Sequence, residues 1–353
     1  MKALVLEEKK KLSLRDFPIN ETVGPDDVRI AIKACGICGS DVHYYLEGRI
    51  GDFVVNEPMI LGHEAGGVVL ETGANVKNLK AGDRVCIEPG IPDFKSAETL
   101  KGMYNLDPAV RFWATPPIHG CLRETVVHPA SYTFRLPDNV SFHEGALVEP
   151  VAIGAWAAKK AKIAPGDTAL VIGGGTIGIV TALAAESSGC SKVYIADINK
   201  GKLDFINKHY GGKLEAIDLN KADVMRYFTG KGISGVDIVF EASGSAKAYE
   251  GICSYLVPRG RMVLIGMPNG TVPLDVVAMQ AKELSIETIF RYVNIYPLVI
   301  NMISSGKLNV KPLVTKQYSF ESKDSNADSI AAFEYAATLP ENDVKIMINM
   351  DNI

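Results

Sequence analysis

The stretch at residues 169–197 constrains the fold more than any other part of the sequence. Residues 168–172 form a short apolar run rich in β-forming side chains, which is typical of a buried parallel strand. Gly173, Gly175 and Gly178 then fit the pattern G-x-G-x-x-G. The first glycine allows a tight turn, the second lets the backbone approach a pyrophosphate, and the third lets the next helix pack close to the strand.

The residues that follow these glycines fit a dinucleotide-binding unit. A helix is predicted at residues 176–188, and its first N–H groups, at Thr176 and Ile177, would hold phosphates. A second strand is predicted at residues 192–196, and Asp197 follows it. A carboxylate here accepts hydrogen bonds from a ribose 2′-hydroxyl and repels a 2′-phosphate, which favours NAD over NADP. The alternative is a strand–helix turn without a ligand, but the order of all these features favours dinucleotide binding.

The composition is that of an ordinary globular protein. The 353 residues are 47% apolar and 22% charged, and the length is sufficient for two domains. A net charge of −4 and the lack of a basic run argue against a nucleic-acid partner. The first residues do not resemble a signal peptide, and no run reaches the roughly 18 apolar residues of a membrane span. We therefore expect a cytoplasmic protein with no membrane partner.

The first 150 residues are predicted to be rich in β-structure. Residues 28–34 alternate polar and apolar side chains, as a half-buried strand does, and residues 66–70 and 84–87 predict further short strands. Glycine and proline recur at short intervals. This pattern favours an irregular barrel-like domain over a layered α/β one.

Two cysteines follow the first of these strands in the order Cys35-Gly-Ile-Cys38. The pair could be a redox motif, although its usual thioredoxin-like context is missing. It could be half of a structural zinc site, although no second Cys-x-x-Cys exists. The third possibility is that one of the two cysteines binds a metal with partners elsewhere in the chain.

Candidate partners stand at His63 and Glu64, which lie 25 and 26 residues after Cys38 and beside glycines. Taken singly, His63 could be a hydrogen-bonded loop histidine and Glu64 a solvated surface acid. Thiolate, imidazole and carboxylate are the ligand types that zinc accepts, and three protein ligands leave one position open for water or substrate. Together with the dinucleotide stretch, the three residues predict a zinc site.

These features resemble the zinc-dependent medium-chain dehydrogenases, and most of all their polyol branch, the sorbitol and xylitol dehydrogenases. The similarity covers nearly the whole chain. The blocks that carry it are Gly36-Ile-Cys-Gly-Ser-Asp-Val-His-Tyr-Tyr45, Gly48-Arg-Ile-Gly-Asp-Phe53, Gly62-His-Glu64, Gly82-Asp-Arg-Val85, Ala114-Thr-Pro-Pro117, Leu136-Pro-Asp-Asn139, Val148-Glu-Pro150 and Phe290-Arg-Tyr292. The resemblance implies an α/β protein with a GroES-like irregular β-barrel catalytic domain at residues 1–151 and 288–353. It implies a Rossmann domain with a doubly wound parallel sheet at residues 152–287.

The resemblance also implies one catalytic zinc per chain, with Cys38, His63 and Glu64 as its ligands. Glu149 would hold the water on that zinc or replace it as a ligand, and the sequence leaves open which. Asp41 would orient His63 from outside the ligand shell.

Other positions acquire roles from the resemblance alone. Ser40 would relay the substrate proton outward and His43 would pass it to solvent, the alternatives being a turn-stabilising serine and a solvent-facing histidine. The residues implied in contact with substrate are Tyr44, Glu149, Arg291 and Tyr292. Those implied at the cofactor, besides the glycine-rich stretch and Asp197, are Lys202, Ile265, Gly266, Met267, Phe290 and Arg291. Lys202 could equally be a solvated surface lysine.

The chain departs from the family at a lobe that often carries a second, structural zinc. The four matching positions are Asp93, Ser96, Thr99 and Asp107. Four oxygen side chains cannot replace a thiolate cage, so we expect one zinc per chain and a lobe held by packing or by a partner subunit. The remaining cysteines are predicted to be small core residues, namely Cys86, Cys121, Cys190 and Cys253.

The second half of the chain shows the alternation of strands and helices that a doubly wound sheet requires. Helices are predicted at residues 141–160, 200–210 and 246–257, and strands at residues 236–240 and 261–265. Residues 293–353 are expected to contribute structure but no further chemistry.

The function implied is NAD-dependent oxidation of a polyol of the xylitol or sorbitol type to a ketose, by zinc-assisted hydride transfer in a homotetramer. A second possibility is a zinc alcohol or L-threonine dehydrogenase with a different pocket. A third, of another class, is a non-catalytic NAD-binding protein that responds to redox state. The sequence does not separate one polyol from another, nor the two directions of the reaction.

Overall fold

The computed structural model describes residues 1–322, 324 and 328–350. Its internal contacts divide the chain into two compact units, Met1–Glu149 with Tyr296–Ile353, and Pro150–Ile295. The sequence predicts domain limits of 1–151 with 288–353 for one domain and 152–287 for the other. These limits remain a prediction.

The strands and helices are numbered here in chain order. The strands are β1 (Lys2–Glu8), β2 (Lys11–Asp16), β3 (Asp27–Gly36), β4 (Arg49–Ile50), β5 (Phe53–Val54), β6 (Met59–Ile60), β7 (Glu64–Thr72), β8 (Arg84–Ile87), β9 (Gly90–Ile91), β10 (Arg111–Phe112), β11 (Thr125–Pro129), β12 (Thr133–Arg135), β13 (Thr168–Ile172), β14 (Lys192–Asp197), β15 (Leu214–Asp218), β16 (Val236–Glu241), β17 (Leu256–Leu264), β18 (Ser285–Thr288), β19 (Val314–Ser319) and β20 (Lys345–Asn349). The helices are α1 (Gly39–Glu47), α2 (Ala97–Leu100), α3 (Phe142–Lys160), α4 (Thr176–Ser187), α5 (Lys200–Tyr210), α6 (Val224–Gly230), α7 (Val276–Lys282), α8 (Tyr296–Ser304) and α9 (Ser329–Ala337). In the part of the chain that is described, none of these helices has the length and apolar character needed to cross a membrane.

The first unit is built on a seven-stranded sheet. Its order is β12-β8-β7-β3-β20-β19, and β11 also pairs with β3. The alternating residues predicted as a strand lie within β3, whose apolar side chains are buried, because one face of the sheet packs into the core. The strands predicted at residues 66–70 and 84–87 lie in β7 and β8. The barrel-like β-rich character expected of this region is confirmed.

The register of this sheet brings three distant parts of the sequence together. The end of β3 pairs with the start of β7, Gly36 opposite Glu64, and also with β20, Gly36 opposite Met347. Because β3 leads directly to Cys38 and α1, residues at the start of β7 and of β20 lie near that turn. The sheet therefore places the candidate ligands close together.

The second unit is a six-stranded, all-parallel sheet. Its order is β15-β14-β13-β16-β17-β18. The order reverses between β14 and β16 on either side of β13, and ligands of open α/β sheets bind at the carboxyl ends of strands at such a point. The predicted strand at residues 168–172, helix at 176–188 and strand at 192–196 agree with β13, α4 and β14 within one residue at each end. The Rossmann fold is confirmed.

One predicted helix, at residues 246–257, is wrong. The structure has two short 3₁₀ turns, Ala246–Tyr249 and Ile252–Tyr255, and β17 already begins at Leu256. Gly251 between the turns has φ of +69°, a left-handed conformation that ends a right-handed helix. The small and apolar side chains of this segment follow a helical pattern, but the backbone conformation of Gly251 interrupts the helix.

Candidate functional site

Cys38, His63 and Glu64 form one compact group, called here the ligand cluster. Their potential ligand atoms all lie within 4.8 Å of one another, and over the described residues this is the one group of at least three such side chains. His63 and Glu64 are 6% and 1% exposed, and Cys38 is partly exposed. One thiol, one imidazole and one carboxylate fit a zinc ion and leave a fourth position open.

Local structure explains how these three side chains converge. Cys38 is the N-cap of α1, where the partial positive charge of the helix end favours an anionic side chain. His63 lies in the short connection from β6 to β7, and Glu64 is the first residue of β7. An added Cβ at Gly36 would lie 2.1 Å from Oε2 of Glu64, so only glycine leaves room for that carboxylate.

Asp41 connects α1 to the segment that carries His63. Its carboxylate is fully buried and accepts hydrogen bonds from the backbone N–H of Cys38 at 3.1 Å and of Gly62 at 3.0 Å. The same carboxylate lies 3.5 Å from Nδ1 of His63. Burial by itself raises the pKa of Asp41, but His63 and the two N–H donors lower this pKa overall. The prediction that Asp41 orients His63 therefore has a structural basis, because Nδ1 faces Asp41 and Nε2 remains for a metal.

Lys345, at the start of β20, contacts the ligand cluster. Its Nζ lies 2.7 Å from Oε1 and 2.7 Å from Oε2 of Glu64, and it donates to the carbonyl oxygen of Ile37 at 3.0 Å. The side chains of Lys345 and Glu64 are 4% and 1% exposed. Burial opposes the charge on Lys345, but Glu64 and its anionic neighbours raise the lysine pKa overall. The expectation that residues 293–353 contribute no further chemistry did not anticipate this contact with a predicted metal ligand.

Glu149 is buried on α3, 4% exposed, and is not a member of the ligand cluster. Its negative charge contributes to raising the pKa of Lys345 and the pKa of a further buried acid, Glu88. Burial raises the pKa of Glu88 to about 7, and the hydroxyl of Tyr104 donates to its carboxylate at 2.6 Å. Whether Glu149 contacts the metal directly or through water remains a prediction.

The other residues predicted near the metal lie on α1. Ser40 is half-buried, His43 is exposed, and Tyr44 is 3% exposed. Ser40 and His43 are three residues apart on one helix, a spacing that puts them on the same face. The roles predicted for them, proton transfer for Ser40 and His43 and substrate contact for Tyr44, stay predictions.

The lobe at residues 93–107 is stabilised by hydrogen bonds in which side-chain oxygen atoms take part. Asp107, 2% exposed, accepts from the backbone N–H of Asp93 at 2.6 Å and of Ala109 at 2.9 Å. Ser96 accepts from the N–H of Thr99 at 3.2 Å and donates its hydroxyl to the Thr99 hydroxyl at 2.9 Å. All four positions that depart from the family pattern therefore take part in bonds within the lobe.

The other four cysteines are buried, as predicted, with exposures of 0% for Cys86 and Cys121, 7% for Cys190 and 4% for Cys253, and Sγ of Cys121 lies 3.5 Å from Sγ of Cys35. Burial raises the pKa of the Cys190 thiol to about 12 and raises that of Cys86 further. Such thiols are poor nucleophiles because little thiolate forms. They act as small core side chains.

The glycine-rich segment of the second unit has the geometry expected of a dinucleotide-binding turn. Gly173 has φ of +106°, and an added Cβ at Gly178 would lie 1.7 Å from the carbonyl oxygen of Gly173. Gly175 is the N-cap of α4, so the N–H groups of Thr176 and of the residues after it point out of the helix end. The tight turn at Gly173 and the close packing at Gly178 are the roles that the pattern predicts for these two glycines, and the approach of Gly175 to a pyrophosphate stays a prediction.

Asp197 ends β14 beside this turn. Its carboxylate accepts hydrogen bonds from the N–H of Gly174 and from the N–H of Asn199, the latter at 2.6 Å. An added Cβ at Gly175 would lie 3.9 Å from Nζ of Lys202, which places that ammonium group next to the phosphate-binding turn. Each carboxylate oxygen has two lone pairs, so Asp197 can still accept from a ribose.

Two further predicted segments lie in the second unit. Ile265 and Gly266 follow β17, and their N–H groups donate to the carbonyl oxygen of Glu241, at the end of β16, at 2.8 and 3.0 Å. Met267 is 75% exposed at the same carboxyl end of the sheet. The other segment is Phe290-Arg291-Tyr292, in which the guanidinium carbon of Arg291 lies 4.9 Å from the ring centre of Phe290 and Tyr292 is buried.

Comparison with known proteins covers both units. Residues 24–138 match the family model described as Alcohol dehydrogenase GroES-like domain, and residues 176–305 match the model described as Zinc-binding dehydrogenase. A D-xylulose reductase of Morganella morganii is 55% identical over 341 residues, 96% of this chain and 98% of that protein. A sorbitol dehydrogenase of Arabidopsis thaliana is 39% identical over 332 residues, 93% of this chain and 90% of that protein. The crystal structure of an Escherichia coli oxidoreductase/dehydrogenase of unknown specificity has a TM-score of 0.91 at 34% identity, covering 99% of this chain and 98% of that chain.

Proposed function

The chain belongs to the zinc-dependent medium-chain dehydrogenases, in their polyol branch, and from this premise we propose that it oxidises a polyol of the xylitol or sorbitol type to a ketose with NAD. The observation that carries the proposal is the ligand cluster, in which Cys38, His63 and Glu64 hold their ligand atoms within 4.8 Å. That donor set suits a catalytic zinc rather than a structural one, because three protein ligands leave a position for substrate.

The reaction removes a hydride from a carbinol carbon and a proton from its hydroxyl. When bound, zinc acts as a Lewis acid that favours the deprotonated hydroxyl, and the nicotinamide accepts the hydride. Asp41 keeps His63 in the tautomer that leaves Nε2 free to ligate. Ser40 takes up the hydroxyl proton and His43, on the exposed side of α1, passes it to solvent. Glu149 supports the same site, either as an intermittent ligand or through water.

The family resemblance supports polyol binding by Tyr44, Glu149, Arg291 and Tyr292. A guanidinium group offers five donors in a fixed geometry, which suits neighbouring hydroxyl groups. The relative named D-xylulose reductase, at 55% identity, makes xylitol and D-xylulose the first pair to test. A homotetramer in the cytoplasm completes the proposal, and light scattering after gel filtration tests the tetramer.

NAD is proposed as the cofactor because Asp197 stands where a ribose 2′-hydroxyl binds and would repel a 2′-phosphate. We expect Asp197→Ala to raise KM for NAD by about 10- to 150-fold, since one charged hydrogen-bond acceptor is worth roughly 1.5–3 kcal/mol. The same change lowers KM for NADP. Initial rates with both cofactors at saturating polyol measure this, and an unchanged ratio of kcat/KM for NAD over NADP would contradict it. Lys202→Ala, which weakens both cofactors, is the matched control.

The activity is tested by NADH formation from xylitol, sorbitol, ribitol, L-threonine and ethanol, each with and without a chelator. Chelator-sensitive oxidation of polyols alone supports the proposal, and the order of rates identifies the substrate. Oxidation of L-threonine or ethanol in preference to polyols would place the protein with another substrate class. Lack of turnover in a sample that holds both zinc and NAD would favour the non-catalytic alternative.

A further inference from the structure

Lys345 is one of two lysine or arginine side chains that are buried among the described residues, the other being Arg123. All three of its N–H donors have partners, two on the carboxylate of Glu64 and one on the carbonyl oxygen of Ile37. The bonded residues are 281 positions apart in the sequence. The contact therefore exists only because β20 pairs with β3.

A gain in folding stability does not by itself explain why this ion pair is buried. Burial of an ion pair costs desolvation of both charges, and replacing such a pair by apolar side chains is often neutral or stabilising. Both partners of Lys345 are, however, tied to the proposed metal site. Glu64 is itself a proposed ligand, and Ile37 directly precedes another proposed ligand, Cys38. One ammonium group thus fixes two of the three positions of the ligand cluster, while Asp41 fixes the third.

The charges in this part of the structure support the same conclusion. A divalent cation is balanced by the thiolate of Cys38 and the carboxylate of Glu64. Glu149 is a further buried acid whose charge acts on Lys345. Asp41 is a further buried carboxylate, so negative charges outnumber positive ones even with a metal bound, and the ammonium of Lys345 reduces that excess.

We propose that Lys345 is a positioning residue for the metal site: it holds the carboxylate of Glu64 in its ligating orientation. The inference rests on the proposed zinc site at Cys38, His63 and Glu64. Both oxygens of Glu64 are bonded to Lys345, so each offers a metal at most one remaining lone pair. Outer partners of this kind typically contribute 10- to 100-fold to metal affinity.

The test is zinc affinity, measured by competition with a chromogenic chelator in the full-length protein. We expect Lys345→Met to weaken zinc binding by about 10- to 100-fold. The control is Lys9→Met, which removes an exposed lysine paired with Glu47 at 2.9 Å in the same unit, and which should leave zinc affinity unchanged. An affinity of Lys345→Met within threefold of the wild type would overturn the proposal.

A double-mutant cycle with Glu64→Gln separates positioning from a general loss of structure. If Lys345 acts through Glu64, adding Lys345→Met to Glu64→Gln changes zinc affinity by less than about threefold. An equal loss in both backgrounds would show that Lys345 does not act through this carboxylate. If the wild type itself does not bind one zinc per chain, the proposed site fails, which is a different outcome from failure of the role of Lys345.

Removal of Lys345 leaves Glu64 buried and unpaired in the metal-free protein, which is strongly destabilising and can prevent folding. Lys345→Gln is the second variant, because its amide still donates a hydrogen bond to the carboxylate. We expect about tenfold weaker zinc binding for it and an altered visible absorption spectrum after loading with Co²⁺, which reports ligand geometry. A wild-type affinity together with a wild-type cobalt spectrum in Lys345→Gln would overturn the proposal.

Discussion

The ligand cluster and the lobe at residues 93–107 belong to the same unit, yet their polar side chains are used in opposite ways. In the ligand cluster, a thiol, an imidazole and a carboxylate converge within 4.8 Å, and the side chains of Asp41 and Lys345 contact His63 and Glu64 from outside. In the lobe, Asp107 and Ser96 bond to backbone N–H groups of their own segment. A metal site needs side chains whose acceptors remain available, whereas a self-supporting loop uses those acceptors on its own backbone.

The largest expected effect is on the ligand cluster. We expect Glu64→Ala to abolish zinc retention and to lower turnover by at least about 10³-fold, because the metal supplies several kcal/mol of transition-state stabilisation. NADH binding should remain within twofold of the wild type, since the glycine-rich turn lies in the other unit. Metal analysis and NADH fluorescence titration measure the two quantities.

Hydrogen exchange of the lobe in the same variant sharpens the comparison, because the lobe's bonds do not depend on the metal. Protection of residues 93–107 should not change. Glu64→Gln is the matched control for folding, since its amide oxygen still accepts from Lys345. Loss of NADH binding in either variant would contradict the independence of the two sites.

A smaller effect is expected at Glu88, a buried acid whose carboxylate accepts a hydrogen bond from Tyr104 of the lobe. Burial raises its pKa from 4.5 to about 7. The native state therefore keeps a proton that the unfolded chain has released between these pH values, and the free energy of unfolding falls by about 3 kcal/mol as pH rises through the window. Glu88→Gln removes this loss, so it should be more stable than the wild type at pH 8 and similar near pH 4.

Denaturant unfolding of both proteins from pH 4 to pH 8 measures this difference. The comparison cancels the contribution of His128, whose pKa burial lowers to about 3 and which destabilises the protein as pH falls below 6.5. Parallel stability curves for Glu88→Gln and the wild type would show that Glu88 ionises normally.

The smallest effect concerns the lobe. Asp107→Ala removes the acceptor for two backbone N–H groups, and we expect it to lower the free energy of unfolding by about 2 kcal/mol. Ser96→Ala, which removes the N-cap of α2, should cost about 1 kcal/mol. Zinc content and kcat should not change in either variant. A loss of zinc with Asp107→Ala would show that the lobe and the ligand cluster are not independent.

Local pattern was sufficient for the start of the second unit. The strand–glycine–helix–strand order predicted β13, α4 and β14 because each of these elements depends on neighbouring residues. Cys38, His63 and Glu64 offer the three ligand types that zinc accepts, and the family resemblance implied them as a set. Lys200 to Tyr210 has the helical period of an ordinary amphipathic helix and was also predicted at its observed limits.

Lys345 was missed because no local rule connects it to Glu64. One signal was present: a lysine directly ahead of the apolar run Ile346-Met347-Ile348 in a buried strand needs a buried partner. The sequence does not tell which partner, since that depends on the pairing of β20 with β3. The helix predicted at residues 246–257 is wrong for a local reason. The side chains there have a helical period, but Gly251 adopts a left-handed conformation that a helix cannot continue through.

The position of Lys345 on β20 also affects when the metal site matures in a growing polypeptide. Cys38, His63 and Glu64 are synthesised early, whereas Lys345 follows Glu64 by 281 residues. At ribosomal rates of about 5–20 residues per second, this separation amounts to roughly 14 to 56 s. During that interval a nascent chain carries a thiol, an imidazole and an uncompensated carboxylate on unfinished β-structure. Metal capture in the mature geometry therefore has to wait until β20 has been synthesised and has paired with β3.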